Sequence, residues 1–289
     1  MGILFTVGIA DLPAHGPNHI HGNESGTVRE EIISSESESG SGNQDRKILS
    51  SKEKVWTLSL LSSWESRHVH YGVDETGPSG AYAAEVSFQV ERLSLTAWSG
   101  YGTGNDFQEW DFTLVYRLDI GPVFFVPGYN FRYSASFNEE EHEEEEHAHG
   151  EKEPHEEDSH SHSHKTYGHE LFFVLGTDRI PYVTPNMVFI CDLNNTPAAA
   201  AELRLDGEIP LRKNTVTLRP YALLGLNFGY NTPDYYGWNN FQFGVEAGWQ
   251  VTRHISVFAG VHYSVALKAL QTIEQGNVVW ANAGISFSY

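Results

Sequence analysis

One stretch of the chain decides the fold: Trp110-Asp111-Phe112-Thr113-Leu114-Val115-Tyr116-Arg117-Leu118-Asp119. Its large apolar side chains occupy every second position, and most of the positions between them are polar. Successive side chains of a β-strand point to opposite faces, so a period of two is the strand period. The stretch therefore predicts a strand with one apolar and one largely polar face.

The same period recurs from residue 54 to the end of the chain. On both sides of the first stretch, the alternation appears in further segments that begin near residues 56, 82, 93, 123, 171, 187, 203, 216, 241, 255 and 279. With the first stretch, these segments predict 12 strands of about ten residues, the length that crosses a membrane in a β-barrel. An even number of antiparallel strands can close into a barrel.

The links between these segments alternate in length. Tight turns such as 91–92 and 252–254 alternate with longer links around 66–80, 101–108, 135–168, 194–198, 231–240 and 265–277. Short turns on one rim and long loops on the other are typical of bacterial outer-membrane barrels.

A soluble β-sandwich or barrel would also show half-apolar strands. Three features favour the membrane: the apolar faces carry no charges, aromatic residues gather near the strand ends, and the opposite faces are rich in Gly, Ser, Asn and paired charges. The predicted aromatic girdles comprise Trp64, Tyr82, Trp110, Tyr133, Tyr230 and Tyr263 by the long loops, and Trp56, Trp249, Phe287 and Tyr289 by the short turns. We therefore predict an all-β, up-and-down antiparallel transmembrane β-barrel of about 12 strands over 54–289, in the Gram-negative outer membrane and in contact with its lipid.

Composition excludes several other classes of protein. No run of apolar residues is long enough for a transmembrane helix. Acids outnumber bases 38 to 18, which argues against nucleic acid as a partner. The single cysteine, Cys191, excludes an internal disulfide framework.

Residues 1–53 differ from the rest. A short apolar start is followed by a Gly/Ser/Glu-rich run with almost no aromatic residues, a composition that predicts a disordered arm. The apolar start could be the remnant of a secretory signal, although it lacks a basic n-region and a clean cleavage site.

The link 135–168 is rich in histidine and acid. Counted from the first strand it is the third long loop, which places it outside the cell. Residues 138–165 contain twelve acids and two lysines, so they supply half of the chain's formal charge of −20. Imidazole suits Zn, Ni and Cu, and nearby carboxylates add attraction and oxygen ligands. We predict no required cofactor, and a divalent metal (Zn, Ni or Cu) captured by His142, His147, His149, His155, His160, His162, His164 and His169. The alternative is a solvated loop that only confers solubility.

The polar faces predict the lining of the lumen. A barrel of 12 strands lies between the filled 8-stranded kind and the open 16-stranded kind, so its side chains decide whether it conducts. The residues expected inside are Glu85, Asp111, Arg117, Arg132, Asp192, Glu202, Arg204, Asp206, Arg219, Glu246 and His262. They predict either a network of paired charges that fills the pore or a constriction that selects small solutes or metal ions.

The chain ends Ala-Gly-Ile-Ser-Phe-Ser-Tyr289, which resembles the C-terminal signal that the barrel assembly machinery reads. Ser63-Trp64-Glu65-Ser66-Arg67, the run 93–100, the run 105–112 and the Leu-Asp-Ile-Gly-Pro turn at 118–122 resemble hairpins of the TorF-like porins. This resemblance covers about a quarter of the chain and implies a porin. The histidine-acid loop and the N-terminal arm have no counterpart in that family.

An enzyme is the remaining alternative. Some 12-stranded barrels hydrolyse lipids, which requires Ser, His and an orienting Asn or Asp near the outer rim. His169 has the outward parity for this role, but no serine of matching parity lies close in the adjacent strand and no G-x-S-x-G occurs. We therefore predict that the protein is not an enzyme.

Overall fold

The computed structural model describes residues 56–104, 107–137, 163–194, 198–212, 215–233 and 235–289. The predicted arm at 1–53 and most of the histidine-acid loop lie outside these ranges, so the predictions made for them stay predictions. Within these ranges, no helix has both the length and the apolar character that a membrane crossing requires.

Strands account for most of the described chain. Their bounds are β1 Trp56–Glu65, β2 Val69–His70, β3 Val73–Asp74, β4 Ala81–Val90, β5 Leu93–Gly102, β6 Gln108–Tyr116, β7 Leu118–Ile120, β8 Val123–Phe137, β9 Ser163–Gly176, β10 Val183–Asp192, β11 Ala198–Gly207, β12 Ile209–Leu211, β13 Val216–Phe228, β14 Tyr236–Gln250, β15 Ile255–Ala266 and β16 Val278–Ser288. A short helix, α1, covers Lys268–Gln271.

The long strands close into a ring. Each pairs antiparallel with its neighbours in sequence, and the pairing of β1 with β16 closes the ring, with Leu60 opposite Phe287. The short strands β7 and β12 extend this sheet, whereas β2 and β3 form a separate hairpin. The prediction of an all-β, 12-stranded antiparallel barrel is confirmed. Closure pairs the edges that an open sheet would leave exposed.

The alternation that predicted the strands sets their two faces. On β6, Trp110, Phe112 and Leu114 are each more than 40% exposed on the outside of the barrel, whereas Asp111 is 0% and Thr113 4% exposed on the inside. An outer surface of large apolar side chains is stable where it meets hydrocarbon rather than water.

One member of the predicted aromatic girdles lies elsewhere. The phenolic ring of Tyr230 packs edge-on against that of Tyr71, with centroids 5.4 Å apart, inside the barrel. Strand β13 ends at Phe228, and Gly229 then adopts a positive φ of 86°, so the parity of the strand no longer applies. The prediction that Tyr230 belongs to the outer girdle is wrong for this reason.

The inner face is also less polar than the sequence predicted. On the wall formed by β6 and β8–β10, buried apolar side chains form one cluster with Tyr71. Its wall members are Val115, Phe124, Val126, Phe172, Val174, Val188 and Ile190. These strands are apolar on both faces, because in a narrow barrel inward side chains can pack against one another instead of meeting water.

Candidate functional site: the occluded lumen

The link between β1 and β4 folds into the barrel. We call residues 66–80 the plug segment; it contains the β2–β3 hairpin and a 3-10 turn at Gly77–Ser79. His68, Val69, His70 and Tyr71 are all at least 96% buried. The sequence predicted only a long loop here, and a polar loop would normally remain in solvent.

The tip of the plug segment crosses the lumen. The Tyr71 ring packs into the apolar cluster on the β8–β10 wall. The Tyr71 carbonyl accepts hydrogen bonds from the side-chain amides of Asn231 at 3.1 Å and Asn239 at 2.6 Å, on the β13–β14 side. One residue therefore bridges two well-separated parts of the ring.

The short helix α1 supports the tip of the plug segment. Gly72 has a φ of +82°, and a Cβ atom there would lie 2.8 Å from Leu270 Cδ1 and 2.9 Å from Asn240 Cγ. Leu270 and its neighbour Ala269 in α1 are fully buried. Only glycine fits this left-handed position against the helix. The plug segment and α1 together fill the long-loop end of the lumen.

The plug segment is joined to the wall through His70 and Arg132. Arg132 Nη2 lies 2.9 Å from His70 Nε2, Arg132 Nη1 lies 3.3 Å from His70 Nδ1, and Glu75 Oε1 also lies 3.4 Å from Nδ1. A guanidinium can only donate, so a ring nitrogen of His70 accepts from Arg132 and the imidazole is neutral. Burial and the charge of Arg132 both lower the pKa of His70, to about 3.

Arg132 is also the centre of a cluster of acids on the wall. Its Nε lies 3.6 Å from Glu109 Oε1 and 3.5 Å from Asp111 Oδ1, and its Nη1 lies 3.9 Å from Glu170 Oε1. Asn130 donates from Nδ2 to Glu170 Oε2 at 3.1 Å. Three buried carboxylates thus share one guanidinium.

His68 lies at the other side of this cluster. Its Nδ1 is 3.2 Å from Glu65 Oε2, and its Nε2 is 3.8 Å from Glu75 Oε2. The imidazole ring stacks on Trp98, with centroids 5.4 Å apart, and contacts Phe107 at 5.3 Å. These contacts fix the direction in which the ring points.

The two titratable groups at this end are strongly perturbed. Burial alone would lower the pKa of His68, but the hydrogen bond and charge of Glu65, with the charges of Glu75 and Glu109, raise it to about 9. Burial and the charge of Glu109 raise the pKa of Glu75 to about 7. Both shifts have one physical cause, an excess of carboxylates in a space with little water.

The eleven residues predicted to line the lumen lie on the inner face or at its rim. Arg117 lies at the short-turn rim, where it pairs with Asp119 and Asp178, and Asp192 caps the backbone of Asn194 near the long-loop rim. Two ion pairs lie on the inner wall, Arg204 with Asp206 at 2.6 Å and Arg219 with Glu246 at 3.2 Å, and Arg132 contacts the acid cluster. Glu85 accepts a hydrogen bond from Ser87, and His262 contacts Tyr221 and Asn282. Asp111 and Glu202 are buried on the same inner face.

Of the predicted metal-binding histidines, the structure describes the side chain of His169. Its Nδ1 lies 2.6 Å from the Tyr129 hydroxyl, and its ring contacts Phe131 on the outer face. His164 belongs to β9, opposite Ser136, but its side chain lies outside the described residues, as do the other six histidines. The structure therefore does not place His169 with the lumen cluster.

Sequence reasoning did not single out His68, His70, Glu75 or Glu109. Glu109 shares the parity of Asp111, two residues on, and this signal could have found it. The three plug residues lie in a link without periodicity, where no pattern shows which way the chain folds.

The fold and the site define a class of protein. A closed antiparallel 12-stranded barrel with an apolar outside, aromatic rims and a charged interior has the architecture of outer-membrane β-barrels.

The solved structures to which the chain is similar include a KdgM porin, at 6% identity and a TM-score of 0.49, over 81% of this chain and 99% of that one. A NanC porin matches at 10% identity and a TM-score of 0.49, over 80% of this chain and 98% of that one. The translocator domain of the autotransporter NalP from Neisseria meningitidis matches at 10% identity and a TM-score of 0.41, over 83% of this chain and 90% of that one. At these identities and scores, no function follows for this chain. No family model and no curated protein matches the sequence, so the resemblance to TorF-like porins stays a prediction.

Proposed function

We propose that the protein is an outer-membrane channel for small polar solutes, closed at its long-loop mouth by the plug segment. The observation that carries this proposal is the charged inner wall, where Arg204 pairs with Asp206 and Arg219 with Glu246. Ion pairs are costly to keep inside a barrel that serves only as a scaffold, because apolar residues of similar volume are often as stable. Charged walls suit a pathway for hydrated solutes.

Planar-bilayer conductance tests this proposal. Residues 68–78 of the plug segment are replaced by a short Gly/Ser linker, and the matched control is the same linker inserted into the link 103–107. We expect small or rare openings from the unmodified chain, larger and more frequent openings from the plug replacement, and no change from the control. A correctly folded plug replacement that never conducts would refute the channel.

One observation favours a second function, a structural surface barrel with a closed lumen. The apolar cluster on the β8–β10 wall resembles a packed core rather than a water pathway. This alternative predicts that the plug replacement does not conduct and is also much less stable to heat than the unmodified chain. The channel predicts a conducting variant with most of its stability retained.

We also propose that the histidine-acid loop captures divalent metal at the cell surface. The support is compositional: histidines dispersed among acids provide nitrogen and oxygen ligands, and the fixed negative charge raises the local cation concentration. The test compares Zn²⁺ binding by the full chain and by a variant with His142, His147, His149, His155, His160, His162 and His164 changed to Gln. We expect the variant to lose several bound ions, and unchanged stoichiometry would leave the loop as a solubilising segment.

We propose the outer membrane as the location, its lipid as a partner, and the barrel assembly machinery as the partner that reads β16 and Tyr289. The exposed aromatic side chains Phe287 and Tyr289 at the end of this strand support the proposal. Deletion of Phe287–Tyr289 should reduce the amount of heat-modifiable barrel in outer-membrane fractions. Deletion within the N-terminal arm is the control and should not reduce it.

A further inference from the structure

We propose that His68 and Glu75 of the plug segment and Glu109 of strand β6 form a binding site for a divalent cation of the zinc class, which joins the plug to the barrel wall. The site is separate from the histidine-acid loop and does not depend on solute conduction. It would make the position of the plug sensitive to metal.

The ligand atoms are already close together. One donor atom from each of His68, Glu75 and Glu109 lies within 4.8 Å of the other two. His68 and Glu109 are almost completely buried, whereas the Glu75 side chain is 25% exposed. Adjustments of the three side chains would bring these atoms to ligand distance from one ion, and the exposed side of Glu75 gives the ion access.

The histidine has the orientation that zinc sites use. The Glu65 carboxylate lies 3.2 Å from His68 Nδ1, so it can accept the Nδ1 proton and leave Nε2 directed at Glu75. A carboxylate behind the ligating histidine, which fixes the tautomer and raises the basicity of the ligand, is the usual outer shell of such sites. Stacking on Trp98 holds the ring in this direction.

The charge of the pocket is complementary to a cation. Glu65, Glu75, Glu109, Asp111 and Glu170 all lie around the guanidinium of Arg132 and the His68 ring. Even with His68 and Glu75 both protonated, four carboxylates exceed two positive charges. Excess charge of one sign is unfavourable where water is scarce. A divalent ion that replaces the His68 proton adds one net positive charge, which reduces this excess.

The donor set selects the class of metal. One imidazole nitrogen with two carboxylate oxygens suits Zn²⁺ and neighbouring first-row ions. Ca²⁺ and Mg²⁺ prefer oxygen ligands alone. Three protein ligands would leave a position for water.

Zn²⁺ titration calorimetry on the full chain in detergent tests the site. The background chain has Gln at His15, His19, His21 and at the seven loop histidines from His142 to His164, so that these cannot bind. We expect one Zn²⁺ per background chain. In that background, His68→Gln and Glu109→Gln should each weaken binding by more than the roughly 10- to 100-fold that loss of an outer-shell partner causes, because each removes a ligand. Glu65→Gln should weaken it about 10- to 100-fold, as loss of an outer-shell partner does.

Glu246→Gln is the matched control, since Glu246 is another buried wall carboxylate but pairs with Arg219. It should bind Zn²⁺ like the background chain. Folding of each variant is checked by its mobility shift on heating, and if His68→Gln does not fold, the nearly isosteric Glu109→Gln decides. A folded background chain that binds no Zn²⁺, or equal binding by the background and Glu109→Gln, would overturn the proposal. Either result leaves the conductance test of channel function unaffected.

Discussion

Replacement of Arg132 by methionine should release the plug segment from the wall. Methionine keeps much of the side-chain volume but removes the charge and the donors. Arg132 then no longer donates to His70 Nε2, a contact of 2.9 Å that joins the plug segment to strand β8. A hydrogen bond to a charged group is worth about 1.5–3 kcal/mol. Since about 1.4 kcal/mol corresponds to a tenfold change, the plug should open about 10- to 150-fold more often.

The barrel itself should also lose stability. Glu109, Asp111 and Glu170 all lie within 3.9 Å of Arg132 and would remain buried without their cation. Removal of one partner from a buried ion pair costs roughly 3–5 kcal/mol. We expect a loss of this order in the free energy of unfolding in detergent, in addition to the plug effect.

Amide hydrogen exchange separates the two effects. The backbone amide of Glu75 donates to the His68 carbonyl within the plug segment, so faster exchange there reports local opening. Arg179→Met is the control, because Arg179 is 70% exposed and lies 3.9 Å from Asp178. An exposed pair of this kind contributes about 0–1 kcal/mol. If folded Arg132→Met protects the plug amides as well as the unmodified chain does, His70 and Arg132 do not hold the plug in place.

Two further predictions concern the tip of the plug and the outer surface. Gly72→Ala should destabilise the plug by about 1–3 kcal/mol, because its Cβ would meet Leu270 at 2.8 Å in a left-handed backbone conformation. Hydrogen exchange at the plug amides measures this loss. Gly121→Ala is the control for backbone strain alone, because Gly121 has a φ of +61° and open space around the Cβ position. Val245→Arg, near the middle of β14 on the outer face, should lower the free energy of unfolding in lipid vesicles by about 2–4 kcal/mol. Val251→Arg, beyond the end of that strand, should lower it by about 0–1 kcal/mol. Equal costs at the two valines in urea titrations would contradict a bilayer around the barrel.

The strands could be predicted from the sequence because alternation is a local signal. Residues 110–118 carry it without interruption, and the structure forms β6 and β7 there. Alternation does not show how the chain behaves once a strand ends. Tyr230 kept the parity of β13 in the sequence, but the positive φ of Gly229 turns it into the lumen.

The path of the plug segment could not be predicted, because distant residues determine it. The Asp74 amide donates to Gln275, 201 residues away, and the Tyr71 carbonyl accepts from Asn239, 168 residues away. Such contacts leave no period in the local sequence. The wall residues of the site were partly predictable, since Asp111 and Arg132 have inward parity, whereas the plug residues His68 and Glu75 were not.

The composition of the plug segment suits a closure that can be reversed. Its large buried apolar side chains are Val69 and Tyr71, whereas His68, His70 and Thr76 are buried through polar contacts. Full burial of an apolar side chain stabilises the folded state by about 1.5–3 kcal/mol. A typical hydrogen bond stabilises it by a net amount of only about 0.5–1.5 kcal/mol, because water can replace the partner when the bond breaks. A packed core would resist opening much more strongly. Under the proposed channel function, a plug held mainly by polar contacts would open more readily than a packed core, and the proposed ion between plug and wall would add a contact that opposes opening.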